Sequence, residues 1–139
     1  INVIEVVKLA LDIFNEEYIS YSFTEDRLIA NLDKSKIIRV ITTLITNATQ
    51  AVEQIETPKI TVYVSSDSNT IKIAVTDNGK GIDDAVKELI FEPKFTTKSS
   101  GMGLGLAIIK KIIEANNGTI NFVSSKGKGT TFTVRLPKN

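Results

Sequence analysis

Asp77-Asn78-Gly79-Lys80-Gly81-Ile82, then Phe91-Glu92-Pro93-Lys94-Phe95-Thr96-Thr97-Lys98, then Gly101-Met102-Gly103-Leu104-Gly105-Leu106: these three runs decide how the chain reads. A carboxylate beside two glycines comes first. A basic, aromatic segment follows, and then a glycine-rich run that opens a helix. In that order they offer an acceptor for a base, a cover and a phosphate cradle. The dinucleotide fingerprint needs G-x-G-x-x-G after a strand, and a Walker A loop needs G-x-x-x-x-G-K-S/T; neither occurs.

Each run has a physical rationale and a plainer rival. Asp77 closes a predicted strand over 71–75. There a carboxylate can accept from an exocyclic amine such as adenine's, and Gly79 and Gly81 let a flat ring come close to the backbone. Asp-Asn-Gly is equally turn chemistry. The third run opens a helix whose free N–H groups and dipole attract phosphate, with Lys98 upstream as a point charge. Alone it reads as well as a flexible loop before a helix. Within an expected loop over 91–102, Phe91 and Phe95 can anchor a mobile lid over 91–98, with Pro93 stiffening it and Ser99-Ser100-Gly101 giving it room. Two core aromatics flanking a surface loop would look the same.

Working outward, apolar residues at helical spacing predict helices over 2–17, 34–54 (capped by Asp33) and 104–115, the last stopped by Gly118. A short helix is expected over 83–89. Alternation predicts strands over 19–23, 27–32, 60–64, 71–75, 119–124 and 130–136. Asp67-Ser68-Asn69 makes a hairpin of two of them. The pattern predicts a two-layer α/β (α+β) sandwich. A mixed, mostly antiparallel sheet of about five strands would be covered on one face by about three helices, leaving a pocket between the layers.

The helix over 34–54 carries a core stripe of Ile37, Ile41, Leu44, Ala48, Ala51 and Ile55. A second stripe, Thr43, Asn47, Gln50 and Gln54, lies about 120° round. It borders the core, where a pocket rim would be. Asn47 there can offer a carbonyl oxygen to a hard cation such as Mg2+. On its own the stripe is an ordinary half-exposed polar edge. Thr130, after Gly127-Lys128-Gly129, could place a hydroxyl near the base pocket or simply enter a strand.

Composition narrows the chemistry. The 139 residues, 42% apolar and 24% charged, suit a single domain of an ordinary globule. A net charge of +1 gives no global reason to expect nucleic acid. The positive charge is local: Lys94, Lys98, Lys110 and Lys111 fall between Glu92 and Glu114 with no acid among them. Without cysteine there is no disulfide, thiolate metal site or cysteine nucleophile. Without histidine there is no Ser-His-Asp catalysis and no histidine phosphoacceptor. No apolar run approaches the ~20 residues that span a bilayer. A start at Ile1, directly in amphipathic sequence, suggests a piece of something longer.

Together the motifs resemble the catalytic and ATP-binding domain of bacterial sensor histidine kinases, over nearly the whole chain. That domain shares its Bergerat-type fold with DNA gyrase, MutL and heat-shock chaperone ATPases. Leu44-Ile45-Thr46-Asn47-Ala48 is similar to the family's N box, with Asn47 in the place of the Mg2+-coordinating asparagine. Residues 77–82 match the first glycine box, with Asp77 as the adenine-reading aspartate; 91–98 match the F box, and 101–106 the second glycine box. The resemblance implies ATP contacts from Asn47, Gln50, Ala51, Asp77, Asn78, Gly79, Gly81, Ile82, Phe91, Lys94 and Lys98. It implies others from Gly101, Met102, Gly103, Leu104, Gly105, Leu106 and Thr130.

Thr43 stands where many sensor kinases carry a second Asn and the related ATPases a catalytic Glu, which puts water-directed hydrolysis in doubt. Gln50-Ala51, in place of Lys-Tyr, and the Thr96-Thr97-Lys98 ending resemble the nitrogen-regulation type. The implied activity is transfer of the γ-phosphoryl of Mg-ATP to a histidine on a separate dimerisation domain of the parent. The implied partners are that domain and a response-regulator receiver domain. The resemblance further implies a monomeric piece of a homodimeric parent, cytoplasmic, with the parent anchored at or near the membrane. A serine kinase of the anti-sigma-factor type and a nucleotide-binding pseudokinase share the fold and stay open as alternatives.

Overall fold

The structure is a computed structural model and describes residues 1–92 and 102–139, with the side chains at 102–104 outside that description. Five strands form one sheet: β1 (Ile19–Phe23), β2 (Ile60–Ser66), β3 (Thr70–Asp77), β4 (Thr119–Ser125) and β5 (Gly129–Pro137), in the order β1-β2-β3-β5-β4. β1 runs parallel to β2, and the other neighbours are antiparallel. A parallel pair needs a crossover, and helix α2 (Lys34–Ala51) supplies it.

Alternation decides which face is covered. One row across the sheet is Val62, Val75, Phe132 and Phe122; the next is Val64, Ile73, Val134 and Ile120. On that face α1 (Val3–Leu11), α2 and α3 (Met102–Ala115) close the core with Val7, Ile41, Leu44, Ile45, Ile109 and Ile113, all at most 1% exposed. Each such side chain contributes about 1.5–3 kcal/mol through burial. The opposite face is open: Tyr63 is exposed, and Val123 is 77% exposed. The expected two-layer arrangement with a mixed sheet is what forms.

Differences from expectation have local causes. Helix α1 stops at Leu11 because Ile13 and Phe14 donate to carbonyls three residues back, Ala10 and Leu11, tightening the last turn and swinging Phe14 against the core. The segment 27–32 is not a strand. Its Leu28 N–H goes to the Asn2 side chain and its Ala30 N–H to the Ile1 carbonyl, which seats it against the start of α1 with a single bridge, Asn2 to Ile29. Residues Asp84–Leu89 form a 310 helix.

Helix α2 ends at Ala51 rather than at 54, since the Ala51 carbonyl is taken by the Lys80 N–H from the loop after β3. Asn117 (φ 62°), not Gly118, is the left-handed residue that ends α3. Asn117 and Gly118 N–H groups bond to Glu114 and Ile113 carbonyls. Gly118 is required for another reason: a Cβ there would lie 2.4 Å from the Arg135 carbonyl oxygen of β5. Of the expected lid and its loop, which begin at Phe91, residues 93–101 lie outside the described residues.

Candidate functional site

The last row of the covered face breaks the apolar pattern. In register it reads Ile60, Asp77, Thr130, Ser124. Asp77, Thr130 and Ser124 are buried at 7%, 5% and 6% exposure. Opposite them the C-terminal half of α2 presents Asn47 and Ala51. Between the layers lies a cleft of about 440 Å3, walled by Ile82, Val86, Ile90, Leu106 and Phe132, with Asn47, Asp77, Lys80, Asp83, Lys126 and Thr130 as its polar groups. Its size and mostly apolar lining suit a small ligand with a flat ring.

The loop after β3 is held in place on three sides. The Asp77 carboxylate accepts from the Gly79 N–H at 2.9 Å, and Thr130 faces it in register. Lys80 N–H takes the Ala51 carbonyl at 3.1 Å, which caps the end of α2. Gly79 is therefore glycine because of the helix: a Cβ would sit 2.4 Å from the Ala51 oxygen. Gly81 has φ +74°, and its Cβ would meet the Ser125 oxygen at 2.2 Å. Ile82 N–H donates to Ser124 Oγ at 2.8 Å, and Gly127 N–H to the Lys80 carbonyl at 2.7 Å. Lys87 fastens the 310 helix to the Ser124 carbonyl at 2.7 Å. Burial pushes the Asp77 carboxyl above the usual aspartate range, while the Gly79 and Thr130 N–H groups pull it back.

The helix wall is different in kind. Asn47 is 7% exposed, yet its Nδ2 has no hydrogen-bond partner; nor has the buried Oε1 of Gln50, one turn on. Buried polar groups are nearly always paired, so these two await something. An amide that can turn either its oxygen or its nitrogen to the cleft suits a phosphate oxygen, a cation or cation-bound water. Among the described residues no cluster of three His, Cys, Asp or Glu could hold a metal. That donor set fits Mg2+ carried mainly by phosphates and water, with an amide oxygen added, and does not fit a cage built by the protein alone.

Of the residues singled out in the sequence, Asn47, Ala51, Asp77, Gly81, Ile82, Leu106 and Thr130 meet in the cleft. Asn78 does not line it: its side chain accepts from Lys59 N–H and donates to the Thr57 carbonyl, tying down the α2–β2 connection. Gly79 and Gln50 stand behind the lining. Phe91 packs edge-on to Phe122 and Phe132, with the Lys110 ammonium 5.1 Å from its ring centre. Gly105 lets α3 approach α2: a Cβ there would lie 3.2 Å from Thr43 Cγ2, so Thr43 faces α3. Lys94, Lys98 and Gly101 lie outside the described residues, as do the side chains of Met102, Gly103 and Leu104. Lys80, Asp83, Lys126 and Phe132 of the lining were not picked out in the sequence. Lys126, in the β4–β5 turn, places its ammonium 3.8 Å from the Asp83 carboxylate at the site.

A two-layer fold with a ring-sized cleft, a buried carboxylate at one end and unpaired amides on the helix above defines a nucleotide-binding domain. The profile of the histidine kinase-, DNA gyrase B- and HSP90-like ATPase family matches residues 32–139, and the chain belongs to that family. It is 41% identical over 127 residues to the sensor histidine kinase ZraS of Escherichia coli, covering 90% of this chain and 27% of that protein. With sporulation kinase B of Bacillus subtilis it shares 39% identity over 116 residues, 82% of this chain and 26% of the other. The solved catalytic domain of histidine kinase ThkA superposes with a TM-score of 0.88 at 30% identity, over 99% of this chain and 93% of that one. Another structure, of ThkA in complex with the response regulator protein TrrA, matches with a TM-score of 0.83 at 27% identity, over 100% of this chain and 41% of that one. The chain is thus homologous to the catalytic ATPase domain of sensor histidine kinases, and it spans about a quarter of the length of the curated relatives it matches.

Proposed function

We propose that this chain binds Mg-ATP in the cleft and donates the γ-phosphoryl group to a histidine on a separate dimerisation domain of the same parent protein. The observation that carries the reading is one cleft with two unlike ends. Asp77 and Thr130 close an apolar slot that fits adenine, and the unpaired Asn47 and Gln50 amides lie on the helix above. Bound Mg2+ would supply neutralisation of phosphate charge. The chain's own work is positioning: Asp77 takes the base amine, Ile82, Ile90 and Phe132 exclude water from the ring, and Asn47 orients the metal-bound phosphates. Lys94, Lys98 and the glycine run at 101–105 would complete the phosphate end.

The chain holds no histidine, so the acceptor lies on another domain. A receiver domain of a response regulator is the downstream partner we assign, supported by the complex in which a relative was solved. We place the domain in the cytoplasm as a monomer, within a homodimeric parent anchored at or near the membrane and without a nucleic-acid partner. Among the described residues no helix is long and apolar enough to cross a membrane.

The test is calorimetric titration with a non-hydrolysable ATP analogue, with and without Mg2+, followed by incubation with labelled ATP and the parent's histidine-bearing domain. Binding strengthened by Mg2+, and acid-labile label on the supplied domain but not on this chain, is the expected result. Binding without transfer would leave a nucleotide-binding pseudokinase in its place.

A further inference from the structure

Ser124 is buried, does not line the cleft, and makes three contacts with its single hydroxyl. Ile82 N–H lies at 2.8 Å, Thr130 Oγ1 at 2.7 Å and the Gly129 carbonyl at 3.2 Å. A serine hydroxyl has one proton and two lone pairs. The Ile82 N–H can only donate, which takes one lone pair. The Gly129 carbonyl can only accept, which takes the proton. All three contacts are then met in one way: the Thr130 hydroxyl donates to the remaining lone pair of Ser124. If the Ser124 proton turned to Thr130 instead, the contact between Ser124 and the Gly129 carbonyl would carry no proton.

The direction matters because Thr130 lines the cleft beside Asp77, its partner in register. With its proton committed to Ser124, the Thr130 oxygen can offer only lone pairs to a ligand. Asp77, ionised, is also acceptor-only. We propose that Ser124 is a positioning residue that fixes the polarity of the Thr130 hydroxyl, makes this end of the cleft acceptor-only, and so selects a purine bearing a 6-amino group over one bearing a 6-oxo group. The inference rests on the nucleotide reading above and deepens it. A 6-amino group presents donors to both oxygens, whereas a 6-oxo group presents a third acceptor. Freed from Ser124, the Thr130 hydroxyl could rotate and donate to a 6-oxo group.

The experiment measures affinities of the 139-residue chain for non-hydrolysable ATP and inosine triphosphate analogues, in wild type, Ser124→Ala, Thr130→Val and the double variant. Ser124→Ala should lower the ATP-to-inosine affinity ratio roughly five- to tenfold, the scale of one hydrogen bond. On the Thr130→Val background, Ser124→Ala should change the ratio no further, because the effect runs through that hydroxyl. Equal weakening of both ligands with the ratio kept, or full additivity in the double variant, would overturn the inference and leave Ser124 a packing residue. Should Ser124→Ala not fold, Ser124→Cys keeps the volume with a weaker donor and must show the same narrowing of the ratio. ATP binding with an unaltered ratio defeats this inference alone; no ATP binding by wild type defeats the nucleotide reading as well.

Discussion

The two walls of the cleft treat their buried polar groups in opposite ways. On the sheet wall, Asp77 accepts from the Gly79 N–H, and Ser124 bonds to the Thr130 hydroxyl and accepts from the Ile82 N–H. On the helix wall, Asn47 Nδ2 and Gln50 Oε1 are buried without partners. The sheet wall is finished before any ligand arrives. At the cleft itself the helix wall holds the desolvated Asn47 amide, whose cost, about 1–3 kcal/mol for an unsatisfied group, is recovered only when something fills the site. The contrast divides the labour: the base end is preorganised by the fold, and the phosphate and metal end is completed by the nucleotide.

The largest break in that comparison comes from Asp77. Changing Asp77→Asn keeps an oxygen for the Gly79 N–H but removes the charge and makes half of the group a donor. A charge-assisted hydrogen bond is worth about 1.5–3 kcal/mol, so affinity for the ATP analogue should fall by ~10- to 150-fold in calorimetry. The free protein should melt no lower than wild type, because the substitution relieves a buried charge. A variant that melts several degrees lower would mean that the sheet wall needs the carboxylate for folding rather than for binding.

A smaller effect sharpens the contrast by its sign. Ser124→Ala strands the Ile82 N–H and removes the hydroxyl that bonds to Thr130, and should cost about 1–3 kcal/mol of stability in urea unfolding of the free chain. Asn47→Leu deletes a group already stranded, at similar volume, and should raise the stability of the free chain by about 1 kcal/mol. The same Asn47→Leu chain should bind the ATP analogue with little response to added Mg2+. Two polar-to-apolar changes, on facing walls, therefore move stability in opposite directions. If Asn47→Leu destabilises as much as Ser124→Ala, the helix wall is not the unfinished one.

Much of this was readable from local pattern. Alternation marked β2, β3 and β5, and 3.6-residue spacing marked α2 together with its cap at Asp33, which accepts from Ser35 and Lys36 N–H. Asp77 stood out as a carboxylate at a strand end beside two glycines, Asn47 as an amide on the stripe that borders the core, and Thr130 as a hydroxyl at a strand entry. What pattern could not give is register. Ser124 sits in Val123-Ser124-Ser125, unremarkable until β4 pairs with β5 and sets it against Thr130. Gly79 was read as room for a ring, whereas its space is taken by Ala51, a contact between segments far apart in sequence. Asn78, beside it, looked like part of the site and instead ties down the Thr57–Lys59 backbone. Helix lengths failed at α1 and α2 for one reason: apolar spacing continues where the last carbonyls have found other donors, those of Ile13, Phe14 and Lys80.

The smallest effect lies in the pH dependence of the free chain. Burial raises the Asp77 carboxyl above 3.8, so the folded chain holds that proton more tightly than the unfolded one. By linkage, its contribution to stability is fully present below 3.8 and is lost as pH rises through the raised value. Asp33, Asp67 and Asp84 act in the opposite sense. Hydrogen bonds from Ser35 to Asp33, from Asn69 and Thr70 to Asp67, and from Lys87 to Asp84 hold these carboxyls below the usual range, so they add stability as pH rises. The total curve mixes both signs, and only a difference isolates the cleft. Wild-type stability minus that of Asp77→Asn should therefore decline as pH rises from below 3.8 and level off above the raised value, with a slope below about 1.4 kcal/mol per pH unit, the limit for one proton. Binding of the ATP analogue should rise over the same interval, because only the ionised Asp77 is a charged, acceptor-only partner for the base amine. A flat difference curve would mean that the Gly79 and Thr130 N–H groups offset burial in full, and the sheet wall would then hold its charge at no cost.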